Sequence, residues 1–126
     1  MKGVLILFTM IFCHIVDDYY LQGILASMKQ KAWWRKQESY NENYKHDYII
    51  ALIMHAFSWA FMISIPLIIV GAKEIGIAVA IMINATIHAI IDDLKANKKK
   101  INLVQDQYCH FLQVLMTFIF ILAFGF

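Results

Sequence analysis

The chain has 126 residues, 61% of them hydrophobic and 16% charged, with a net charge of +2 and a single proline. Soluble domains run at roughly 45–50% apolar and about 25% charged residues, so this composition excludes intrinsic disorder and argues against a soluble enzyme, whose small interior would not hide so much hydrocarbon. A pI near 8.5 without a basic stripe gives no nucleic-acid footprint.

A helix needs about 20 mostly apolar residues to cross the hydrocarbon. Four segments meet that requirement, over residues 4–26, 48–70, 75–94 and 101–124. The predicted fold is therefore an all-α, integral membrane four-helix bundle, with residues 1–126 forming one transmembrane domain. The first span opens like a signal sequence, but it continues through His14, Asp17 and Asp18, charges that a cleaved leader avoids. The linker after it carries Lys29, Lys31, Arg35, Lys36 and Lys45 beside Trp33 and Trp34. That pairing suits the headgroup zone and predicts an interfacial helix over residues 28–38. The second span contains Pro66, which predicts a kink near its far end. Only Gly71-Ala72-Lys73-Glu74 separates it from the third span, and Lys95, Lys98, Lys99 and Lys100 precede the fourth.

Lysine and arginine collect on the cytoplasmic side of spans. The two basic linkers are therefore expected in the cytoplasm, with both termini outside, in the cell (inner) membrane. The expected partners are the bilayer, anionic lipid at the basic linkers, and further copies of the chain in a homo-oligomer. No nucleic-acid partner is expected.

The polar residues inside the spans carry the functional signal. An ionisable side chain there costs about 2.5–3.5 kcal/mol on insertion scales and normally faces the bundle interior. His14 and Asp18, His88 and Asp92, and Asp106 and His110 are each four residues apart, which stacks each pair on one helix face. The second span adds His55. Gln22 extends the first stripe, Asn84 extends the third, and Gln107 follows Asp106. On the expected topology these groups share a layer about 5–16 Å below the cytoplasmic surface, at 1.5 Å rise per residue. Imidazole with carboxylate is first-row metal chemistry. The candidate ligands are His14, Asp18, His55, His88, Asp92, Asp106 and His110, with Gln22, Asn84 and Gln107 in support. They exceed the needs of one tetrahedral ion, so one or two divalent ions are expected, zinc first and manganese or iron next. Asp17 and Asp93 lie about 100° around the helix from the stripes and are expected at interfaces or behind ligands. Cys13 and Cys109 are expected as packing residues.

The stretch from His14 to Asp18 is echoed by His88 to Asp92 and Asp93, each followed by a basic linker. A loose two-helix internal repeat is therefore expected.

At these residues the chain resembles a family of small phage and bacterial membrane proteins classed as a domain of unknown function. That family shows His-x3-Asp-Phe-x2-Gln in its first helix; here the residues are His14, Asp18, Tyr19 and Gln22. Its His-x3-Asp-x2-Lys is similar to His88, Asp92 and Lys95, and its Asp-Gln-x2-His to Asp106, Gln107 and His110. Its second helix often reads His-x3-His, where this chain has His55 and Trp59. More distantly, the pattern is similar to bacterial inner-membrane proteins described as metal-dependent hydrolases. The resemblance implies a bundle fold and a metal site, without a known substrate. The expected function is metal-dependent hydrolysis of a lipid-type or amphipathic substrate. The competing expectations are metal or proton transport, and a non-catalytic membrane protein with a structural metal or polar network.

Overall fold

The computed structural model describes residues 2–124 and is all-helical. The chain order is α1 (Lys2–Ile15), a π-helical turn (Val16–Leu21), two one-turn helices α2 (Leu25–Met28) and α3 (Lys31–Trp34), a 3-10 turn (Glu42–Tyr44), and three long helices, α4 (Asp47–Ile69), α5 (Glu74–Ala96) and α6 (Leu103–Phe124). Four stretches are long and apolar enough to cross a membrane: Gly3–Leu21, Glu42–Ile69, Glu74–Ala96 and Leu103–Phe124.

Large apolar side chains line the outside, among them Leu5, Phe8, Ile53, Met54, Met82, Val104 and Met116. Inside, the bundle has two unlike halves. Met10, Trp59, Ala60, Ile63, Leu67, Ile77, Val114, Phe118 and Ile121 form a dry core toward the end that bears the α4–α5 turn. His14, Asp17, His55, His88, Asp92, Asp106 and His110 are equally buried toward the other end, where the two basic linkers lie. An apolar exterior around a polar interior is the arrangement expected of a span bundle in lipid.

Two glycines set the connections. α4 runs through Pro66 and stops at Ile69. Gly71, at φ +80°, then turns the chain, with its N–H donating to Ile68 O and that of Ala72 to Leu67 O. This is the double hydrogen bond that closes a helix around a left-handed residue. Gly23, at φ +50°, ends the first span and folds the linker back across the bundle.

The structure differs from the sequence expectation in the first linker. The first span ends at Leu21 rather than residue 26, and the helix expected over 28–38 is reduced to Lys31–Trp34. Asn97, just beyond α5, is the reason. Its amide donates to Lys29 O at 3.1 Å, and its carbonyl accepts from Lys31 N–H at 2.7 Å. Gln30 is left extended between them. Trp34 turns inward, donating to Met28 O at 2.7 Å and stacking on Tyr44.

Gly23→Ala places a Cβ at a positive φ, which costs about 1–2 kcal/mol. Thermal unfolding in detergent should show that loss. Gly3→Ala, whose added Cβ meets only Phe118 Cζ at an ordinary 3.6 Å, should unfold like the native chain.

Candidate metal centre

The four long segments bring a histidine each into one layer. His55 Nε2 and His88 Nε2 face each other at 3.2 Å. His88 stacks on His110 with ring centroids 4.1 Å apart, and Trp59 stacks on His88 at 4.2 Å. Asp92 reaches into the same space, with Oδ2 3.4 Å from His55 Nε2 and Oδ1 3.7 Å from His110 Nε2. Asp18 Oδ1 lies 3.4 Å from His55 Nε2, and Asp106 Oδ1 lies 3.4 Å from His110 Nε2. Two ligand sets result, Asp18–His55–His88 and His88–Asp92–His110, each with one donor atom per residue and all within 4.8 Å of one another. His88 belongs to both.

The surroundings fix which nitrogen points inward. Gln113 donates its amide to Asn84 O and Oδ1, both at 3.1 Å, so its Oε1 is an acceptor. It therefore receives the proton of His110 Nδ1 at 3.3 Å. His110 Nε2 faces the Asp92 and Asp106 carboxylates and is buried without a hydrogen-bond partner among the described residues. Asn84 is held in turn by Thr117 Oγ1 at 2.6 Å. On the opposite wall, Ser58 donates to Asp17 Oδ1 at 2.8 Å, and Asp17 Oδ2 sits 3.8 Å from His55 Nδ1. A carboxylate behind an imidazole is the usual way to aim the other nitrogen at a cation. Asp17 is as buried as the histidines. The π-helical turn accounts for this: its extra residue brings both Asp17 and Asp18 inward, where regular helix would turn one of them out.

His14 and Asp106 stand outside both ligand sets. Trp59 Nε1 donates to His14 Nδ1 at 2.7 Å, so His14 carries its proton on Nε2 and donates it to Gln107 Oε1 at 3.2 Å. Both ring nitrogens are occupied, and the indole fills the place where the resembling family has its second histidine. Gln107 continues to Asp18 Oδ2 at 3.3 Å and Asp106 Oδ2 at 3.1 Å. Gln22 donates to the backbone carbonyl of Asp18 at 2.6 Å. Asp93 faces away and pairs with Lys98 at 2.8 Å, which raises the Lys98 ammonium above its usual pKa. Cys13 and Cys109 are free and half-buried, Cys109 in an apolar groove between α5 and α6 of about 450 Å³.

Sequence reasoning missed two lysines. Lys29 Nζ donates to Asp92 Oδ2 and Lys95 Nζ to Asp106 Oδ2, each at 2.6 Å. Lys29 is a buried residue on the folded-back linker. No helical period could place it there, since its position depends on Gly23 and Asn97. Lys95 is spaced three residues from Asp92, and that spacing was the available signal.

The family described as "Protein of unknown function (DUF3307)" matches residues 6–125. The chain belongs to this family. No curated protein and no solved structure matches it. The family match spans all four helices and every residue of the His/Asp layer.

Donor chemistry and burial fit a divalent ion. Imidazole and carboxylate are the ligand types that zinc, iron and manganese take. Asp17 Oδ2, His88 Nδ1, Asp106 Oδ1 and His110 Nε2 are buried without a hydrogen-bond partner among the described residues. Four such atoms in one layer is a cost that a bound cation or water would relieve.

Trp59→Phe keeps the ring against His88 but removes the donor to His14 Nδ1. A buried acceptor stranded this way costs about 1–3 kcal/mol. The expected outcome is a lowered thermal midpoint in detergent, with metal content unchanged.

Proposed function

We propose that this protein is a multi-pass protein of the cell membrane, with both basic linkers in the cytoplasm and both termini outside. We further infer that it holds a divalent metal, zinc first and manganese or iron next, in its His/Asp layer. The observation that carries the reading is the pair of ligand sets sharing His88, converging from four separate segments in an otherwise apolar bundle. His55, His88, Asp92, Asp18 and His110 would hold the ion. His14 and Asp106 complete the layer, His14 by tying Trp59 to Gln107.

The activity we propose is hydrolysis of a lipid-type or amphipathic substrate. A bound divalent ion supplies Lewis acidity and a water of lowered pKa. The chain supplies the rest. Gln113 orients the His110 imidazole, Asp17 stands 3.8 Å behind that of His55, and Asp106 Oδ1 is a buried oxygen without a hydrogen-bond partner among the described residues, able to accept a proton. Access is from the linker end, where a polar cavity of about 220 Å³ is bounded by Asp18, Gln22, Lys29, Asp92, Lys95 and Gln107. Toward the other end, Ile63, Leu67, Ile77 and Ile121 close the bundle. A site open at one end and dry at the other suits a reaction pocket better than a transport path.

Elemental analysis of the detergent-purified chain should give at least one divalent ion per chain. His88→Ala, which removes the ligand common to both sets, should lose most of it. Metal-loaded protein should hydrolyse members of a panel of lipid phosphates and esters. Inertness across that panel at full metal occupancy would leave a structural metal centre and reject the enzyme. Cysteine labelling at positions 36 and 73 from the two sides of sealed vesicles should place 36 inside and 73 outside, and the reverse pattern would refute the orientation.

A further inference from the structure

Packing along α5 is uneven: it lies closely against α4 but only loosely against α6. The loose seam is an apolar groove of about 450 Å³, within the roughly 300–1,000 Å³ of small-molecule sites. Ile83, Ile87, Leu112 and Met116 form an exposed, bulky rim. Asn84, Gln113 and Thr117 form a buried floor. The polar groups of that floor are already engaged. Gln113 donates to Asn84 O and Oδ1 at 3.1 Å, and Asn84 donates to Thr117 Oγ1 at 2.6 Å. Gln113 Oε1 accepts from His110 Nδ1 at 3.3 Å, which joins the groove wall to the His/Asp layer. An occupant therefore meets hydrocarbon, with no directional polar contact left to satisfy.

The groove has a direction. It runs from Ala80 to Ile91 on α5 and from Phe120 to Cys109 on α6. At 1.5 Å rise per residue either stretch is about 16 Å long. A hydrocarbon core about 30 Å thick gives the acyl chain of one leaflet a similar reach, ~15 Å. Ile91 and Cys109 are the sequence neighbours of Asp92 and His110, so the groove ends at the depth of the layer. About one turn further on, Lys95 of α5 donates to Asp106 of α6 at 2.6 Å and bridges the seam. Lys95 also borders the polar cavity at the linker end, and Lys98, Lys99 and Lys100 lie exposed just beyond it. An apolar slot below a cationic margin is complementary to an acyl chain beneath an anionic head. It suits a second copy of the chain poorly. Helices associate in lipid by close approach at small residues or by hydrogen bonds between them, and here the rim is bulky and the polar floor is spent.

Resting on the membrane and lipid-substrate reading above, we propose that the α5–α6 groove seats one acyl chain of an anionic lipid, with its methyl end toward Ala80 and Phe120 and its head toward Lys95. The junction of head and chain then lies at the depth of Asp92 and His110. An unfilled hollow of this size would cost its lining the dispersion contacts of a packed interior. A flexible hydrocarbon chain restores those contacts and needs no hydrogen bond.

The test is photo-crosslinking of the full chain in phosphatidylcholine nanodiscs doped with phosphatidylglycerol that carries a diazirine on one acyl chain. One probe has the diazirine near the chain carbonyl and the other near the methyl end, and labelled residues are mapped by mass spectrometry. The first probe should label around Ile91 and Cys109, and the second around Ala80 and Phe120. Both should do so several-fold above Ile53 of α4 and Phe8 of α1, exposed residues on other helices. A phosphatidylcholine probe should show no such excess. Ile87→Trp fills the groove from its rim, so it should abolish the excess and leave labelling of Ile53 and Phe8 unchanged. Met116→Trp should do the same and serves if the first variant does not fold. Even labelling around the exterior, a reversed order of the two probes, equal enrichment of phosphatidylcholine, or rim variants that label like the native chain would overturn this proposal alone. So would a disulfide between two copies through Cys109 under mild oxidation, which marks a second chain in the groove. Groove labelling by a metal-loaded chain that hydrolyses no lipid would uphold the acyl-chain site and reject the hydrolysis proposed above.

Discussion

Each charge buried in this bundle must find its compensation inside the protein, because hydrocarbon offers none. That constraint organises the polar end of the molecule. Asp92 is met by Lys29, Asp106 by Lys95, Asp17 by Ser58, and Asp18 by the amides of Gln22 and Gln107. Even the first linker serves it. Gly23 turns the chain back, Asn97 pins it, and Lys29 is delivered onto a carboxylate in another helix. Removing either partner of such a buried pair is expected to cost about 3–5 kcal/mol, since the other charge stays behind. The linker is thus tied to the site it covers.

Much of this was legible in the sequence because the helical period is a strong rule. Spacings of four residues located the faces of α1, α5 and α6, and hydropathy located four spans. What escaped has a common physical origin. The π-helical turn carries an extra residue, so Asp17 could not be placed by a regular helix of 3.6 residues per turn. Lys29 sits in a linker, where composition reported topology and could not report a contact. Trp59 read as a missing ligand, whereas the structure uses its N–H to fix the tautomer of His14 and its ring to back His88. The expected repeat is also uneven: Asp17 and Asp18 both turn inward, but of their counterparts only Asp92 does, and Asp93 pairs outside with Lys98.

The same features separate orienting groups from ligands. Gln113 and Asp17 each stand behind a histidine, Gln113 accepting from His110 Nδ1 and Asp17 lying 3.8 Å from His55 Nδ1. His14 has both nitrogens in use. These distinctions depend on who donates to whom, and membership of a stripe does not reveal them. They narrow seven candidates to five convergent ones, with His14 and Asp106 at the margin. The dry half of the bundle then gives the layer one open side, toward the linkers.

The central claim is that this layer is a divalent metal centre. X-ray absorption at the edge of the metal bound to the purified chain tests it most directly. The account predicts a first shell of nitrogen and oxygen only, at about 2.0–2.2 Å, with the outer scattering of more than one imidazole. A sulfur shell from Cys13 or Cys109, or an all-oxygen shell without imidazole scattering, would contradict it.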